Sequence, residues 1–172
     1  MLLSRHLNDP LRSAMKKLLI LLLISIPGWL FAQSRFEKAA FYEVMKSGTV
    51  REIDQELAAL TDSSLPNKAG YEGVLLMKKA DLVSMPAEKL KFFKQGRIKM
   101  ETALLDDPTN AEFHFLRLTI QEHAPKIVKY HSDIAKDKEY IQSKFNELSP
   151  AVQHAISDYA KHSKVLKSED LQ

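Results

Sequence analysis

The chain has no cysteine among its 172 residues. That excludes disulfides, thiolate metal sites, a cysteine nucleophile and a lipid anchor carried on cysteine. Glycine is scarce, five in all, and no Gly-rich phosphate loop, G-x-S-x-G turn or H-E-x-x-H pair occurs. Serines fall in turns and at helix starts, not beside a histidine with an orienting acid. No stretch sustains apolar–polar alternation at period two, so the pattern offers no strands. A lasting charge excess is also missing. The formal net charge is +3, but Arg5, Arg12, Lys16 and Lys17 against Asp9 all lie in the first 32 residues. The remainder balances, which excludes the basic footprint that a nucleic-acid-binding domain carries on its folded part.

What is present begins with a leader pattern. Met15-Lys16-Lys17 precedes the apolar run Leu18–Ile26, followed by Pro27-Gly28 and a small residue at Ala32. A basic start, a short apolar core, a helix-breaking pair and a small residue at the cut are the parts of a secretory signal. The run is short beside the ~20 apolar residues of a spanning helix. Residues 1–32 are therefore expected to be a cleaved signal peptide, with Met15 as an alternative start. An uncleaved leader would be the one membrane contact. The expected location is periplasmic or secreted, and residues 33–172 are expected to form one domain.

That domain reads as all-α. Ser34–Lys46 carries Phe36, Ala40, Phe41 and Val44 on one face, and Ser47-Gly48 ends it, glycine favouring a left-handed C-terminal position. Thr49 and Glu52 have capping-box spacing before the stripe Val50, Ile53, Leu57, Leu60. A third helix is expected from about Pro66 to Val83, and a fourth from Pro86 to about Leu105 with Leu90, Phe93, Met100 and Leu104 inward and a lysine-rich solvent face. The fifth should span about Asn110–His123, with Phe113, Leu116 and Ile120 inward. Its N-terminus is expected to be a Thr109–Glu112 capping box, with Glu112 toward solvent. A single turn and a loop follow over Lys126–Lys136. Asp137 opens a helix to about Leu148 that buries Ile141, Phe145 and Leu148. Ser149 caps the last helix, whose inner face is Val152, Ile156, Tyr159, Ser163 and Leu166, and Lys167–Gln172 should fray. Six or seven helices packed as antiparallel hairpins result.

Pro66, Pro108 and Pro150 stand 42 residues apart, each near a helix start. After the first two, Ala69/Ala111, Tyr71/Phe113, Val74/Leu116 and Leu76/Leu118 match at equal offsets. A helical-hairpin repeat and chance spacing of helix-starting prolines both account for this. Gly96, Ala103 and Pro108, followed by Asn110-Ala111-Glu112, resemble the junction between two tetratricopeptide repeats over residues 96–118. The Trp and Leu-Gly positions of that repeat are absent, so the resemblance is one of local helix-pair packing. It implies a TPR-like hairpin stack that binds protein; an irregular bundle is the alternative.

One side-chain group suggests a site. His154, Asp158 and His162 lie at i, i+4, i+8, on one helical face, where two imidazoles and a carboxylate can ligate a divalent metal. A solvated surface fits the same spacing. His114, His123 and His131 are scattered and read as partly buried or surface groups. Asp106-Asp107 fits a helix stop more simply than an acid–base pair. Tyr130, Tyr140 and Tyr159 fit core or core-edge positions, or a groove. No cofactor is implied. The expected function is a non-catalytic protein-interaction or scaffold module with a protein partner. A small-molecule or metal-binding bundle is second, and an enzyme third.

Overall fold

A computed structural model describes residues 36–171. The leader pattern lies outside the described residues. Within them the chain is all-helical and has no strand. The helices are α1 (Lys38–Ser47), α2 (Val50–Asp62), α3 (Lys68–Leu82), α4 (Pro86–Asp106), α5 (Ala111–His123), α6 (Ile134–Lys144) and α7 (Pro150–Ala160). Short 3-10 turns cover Lys126–Val128, Phe145–Glu147 and Ser168–Leu171. Successive helices touch one another from α1 to α6. The α3–α4 pair makes the most extensive contact and α5–α6 the next. α3 also touches α2 and α5, and α7 returns to α1.

The α3–α4 crossing is close because both helices present glycine there. A Cβ on Gly73 would stand 2.7 Å from the Met100 amide nitrogen, and one on Gly96 would meet the Gly73 carbonyl. Glycine costs helix propensity, about 1 kcal/mol each, and here it lets the two backbones touch. Around the crossing lie Val74, Leu75, Met77, Met100 and Ala103, all buried. A second part of the core is aromatic. Tyr71 stands edge-on to Phe41 and Phe113, with centroids 5.2 and 5.3 Å away, and Phe36 lies 5.0 Å off. Tyr71 and Phe113 are the residues that share an offset from Pro66 and Pro108.

Several helix ends follow the sequence pattern, and others depart from it. Thr49 and Glu52 form the expected capping box. Gly48 ends α1 with φ −67° and ψ 150°, an extended conformation, so the left-handed terminus expected there is corrected. The cap of α5 is Asn110, whose Oδ1 accepts from the Phe113 amide at 3.1 Å. Thr109 instead donates to Asp107. The Thr109–Glu112 box cannot close because the Glu112 carboxylate is turned inward. It is buried and takes hydrogen bonds from Lys38 (2.5 Å) and Tyr42 (2.9 Å) on α1. Leu90, expected inside, is half exposed.

Asp137 does not open α6 but lies in its first turn, fully buried. Ser149 precedes α7 without a side-chain cap bond. α7 stops at Ala160, short of Leu166. Ser163 and Leu166 are nevertheless buried, because the chain beyond α7 is held by side chains rather than by helix. Ser163 Oγ accepts from the Val165 and Leu166 amides, and the Lys167 amide donates to Asp170.

Candidate functional site

α5 presents His114, Arg117 and Gln121 at i, i+3 and i+7, a polar stripe turned inward. All three are buried. α6 meets them with Asp137. Its Oδ1 lies 2.6 Å from His114 Nδ1 and 2.6 Å from Arg117 Nη2, and its Oδ2 accepts from Arg117 Nε at 2.9 Å. The guanidinium thus grips the carboxylate with two bonds, the strongest geometry for that pair. Its third arm donates to Glu101 on α4 at 2.8 Å. Glu101 also accepts from the Tyr130 hydroxyl at 2.5 Å. The Tyr130 ring carries the Arg97 guanidinium 4.8 Å from its centroid and meets Phe93 edge-on. One network therefore ties α4, α5, the segment after α5 and α6 together.

Burial works against the charge on Arg117. The hydrogen bonds and field of Asp137, helped by Glu101 and Asp133, outweigh it and raise its pKa. For Tyr130 burial works the other way and raises the pKa, and the bond to Glu101 adds to that. His114 Nε2 faces the Pro108 carbonyl at 2.9 Å, so both ring nitrogens stand against oxygen acceptors. Tyr140 stacks flat over the His114 ring at 4.0 Å, which completes its enclosure. Chemically this is a closed structural network. A His–Asp pair serves as a general base only when the far nitrogen reaches a substrate, and here that nitrogen is spent on a backbone carbonyl.

A second carboxylate does similar work at the end of the chain. Glu122 accepts from Tyr159 Oη (2.7 Å), Ser163 Oγ (2.6 Å) and the Lys164 amide (2.6 Å). Partial burial opposes its charge, but these donors prevail and lower its pKa.

The proposed metal ligands are not drawn into one site. His154 and His162 are exposed, and His162 lies in the turn beyond α7. Asp158 is paired instead with Lys46 at 2.7 Å and Lys161 at 3.2 Å, and its pKa falls to about 2, chiefly through Lys46. Among the described residues no group of three or more His, Asp or Glu side chains is placed to hold a metal ion. The three tyrosines line no common groove: Tyr130, Tyr140 and Tyr159 belong to Glu101, His114 and Glu122 respectively. Asp107 bonds Thr109 and Asn110 and shapes the α4–α5 corner.

Sequence reasoning placed His114 among scattered histidines and passed over Arg117 and Glu101. The available signal was the i, i+3, i+7 spacing of His114, Arg117 and Gln121, a polar stripe set among Phe113, Phe115, Leu116, Leu118 and Ile120.

A further feature is on the outside. Leu90, Ile98 and Leu105 of α4 are 50, 67 and 78% exposed. Spacings of 8 and 7 residues keep them on one flank of the helix. Leu82 and Met85 at the α3–α4 corner and Ile127 in the segment after α5 are exposed as well. No helix among the described residues is long and apolar enough to cross a membrane. No family model, curated protein or solved structure matches the chain.

Proposed function

We propose that this chain is an exported, non-catalytic helical module that works by binding protein. The observation that carries this reading is the outer flank of α4. Leu90, Ile98 and Leu105 stay in water on the longest of the described helices, and large apolar side chains left exposed along one flank, with charges between them, suit an interaction surface. The charged groups that could have suggested catalysis are occupied in holding helices together. Stacked helical hairpins also suit the role, since they offer extended faces to partners. Export rests on the leader pattern Met15–Ala32.

Two measurements test the proposal. Cell fractionation with N-terminal sequencing should find the protein outside the cytoplasm, beginning at Gln33. A triple change of Leu90, Ile98 and Leu105 to Ser should leave the helical content intact while abolishing association with a partner. If association survives those changes, the binding face lies elsewhere.

A further inference from the structure

Resting on that reading, we propose that the partner on the α4 flank is a second copy of this chain, bound antiparallel about a two-fold axis between Arg97 and Ile98. The argument is the internal symmetry of the helix. Leu90 and Leu105 are equidistant from the midpoint of that pair. Antiparallel pairing therefore sets Leu90 of one copy on Leu105 of the other, twice, with the two Ile98 side chains meeting near the axis. All three residues are free to do so.

The charges follow the same symmetry. Exposed lysines occupy the N-terminal half of the flank, at Lys91 and Lys94. Acids occupy the C-terminal half, at Glu101 and Asp106. The same two-fold sets Lys94 opposite Glu101 of the second copy and brings Lys91 within one turn of Asp106. A parallel pairing would set lysine on lysine. Glu101 keeps about a third of its side chain in solvent while it holds Arg117 and Tyr130, and a carboxylate has acceptor sites to spare for one more donor. Arg97, the cation nearest the axis, lies against the Tyr130 ring. Closed two-fold pairing also uses the face completely, with no open end to propagate a filament. One helix flank is smaller than the roughly 800 Å² per partner of a standard stable interface, so the dimer should be weak and concentration-dependent.

The absence of native cysteine makes the orientation directly testable. In cells producing the full chain under two different tags, Leu90→Cys in one and Leu105→Cys in the other should form a disulfide under mild oxidation. Ile98→Cys should cross-link to itself. Leu90→Cys alone should not, because the two sites would lie about 22 Å apart along the helices, far beyond the ~7 Å Cα limit of a disulfide. Lys91→Asp should weaken the cross-link several-fold, and adding Asp106→Lys to the same chain should restore it. Self-cross-linking of Leu90→Cys, or no cross-link at any of the three positions, overturns the proposal. A photo-cross-linking residue at position 98 separates the two failures. Adducts to a different protein only would remove the second copy and leave the binding module standing. No adduct of any kind would remove both.

Discussion

The Asp137 carboxylate stands 2.6 Å from His114 Nδ1 in the interior between α5 and α6, and it is also held by Arg117 through Nε and Nη2. Removing the Asp137 carboxylate leaves Arg117 Nε and Nη2 buried without their acceptor, which costs far more than the pair contributes. Asp137→Ala should therefore lower the unfolding free energy by about 3–5 kcal/mol. Changing His114, Arg117 and Asp137 together to apolar residues of similar volume should cost less than Asp137→Ala alone. Urea unfolding of the single and triple variants makes the comparison. A triple variant weaker than the single would mean that the network contributes net stability.

The α4–α5 corner distinguishes two caps. Asn110→Ala should cost about 1 kcal/mol, the usual worth of a side-chain cap, and here it also removes the bond to Asp107. Thr109→Ala should change stability by less than about 0.5 kcal/mol, since its hydroxyl reaches only Asp107 at 3.4 Å. Denaturant midpoints that rank the two in the opposite order would return the cap to Thr109.

Gly96→Ala should destabilise the domain even though alanine is the better helix former by about 1 kcal/mol. The new methyl would collide with the Gly73 carbonyl and stand 2.7 Å from Met77 Cγ. Forced crowding of this kind costs ~1–3 kcal/mol or more. Gln95→Ala, one residue away and exposed, serves as the control and should be close to neutral. Thermal melts of the pair test it; equal melting temperatures would mean that the helices can part at little cost.

Glu122 should make stability depend on acid. Its folded-state pKa is lowered, so its contribution is complete above the unfolded value of about 4.3. That contribution is lost as pH falls through the lower folded value. Acidification across that window should release the segment after α7, seen as faster proteolysis at Lys164 or Lys167. Glu122→Gln should already be released at neutral pH and show a flatter profile. A wild-type profile as flat as the variant's would show that the three donors do not discriminate the charged form.

The helices were legible because their stripes and stops are local. Pro86, the Thr49–Glu52 box and the Val50–Leu60 stripe need nothing beyond their own segment. Leu116 was legible as core for the same reason and is fully buried. The polar interior was not, because its partners are far apart in sequence: Arg117 needs Glu101 and Asp137, and Glu112 needs Lys38 and Tyr42. A charge on a helix looks like a solvent marker until the helix that covers it is known. Leu90 failed in the opposite sense. Its spacing suited the core, but the close approach at Gly73 and Gly96 turns the inner face of α4 onto Gly96, Met100 and Ala103 and leaves Leu90 outside. The α7 boundary was misplaced because Ser163 and Leu166 are buried by a hydrogen-bonded turn that keeps helical spacing without being helix.

The glycine crossing also has a consequence for how the chain reaches its fold. α3 and α4 are joined by three residues, Val83–Met85, so closing them costs little loop entropy. Their contacts are local in sequence, the kind that form fast. With the two backbones touching, there is no side-chain layer left to anneal between them at that point. Folding should therefore start in the middle of the domain and spread outward in both directions, with α2 and α5 docking next and α1 and α7 closing last. The amides of α3 and α4 around the crossing should be the slowest to exchange with deuterated solvent. Substitutions at Val74 and Met100 should slow folding, while those at Ile156 should mainly speed unfolding. The reverse pattern would place the nucleus at the ends of the chain.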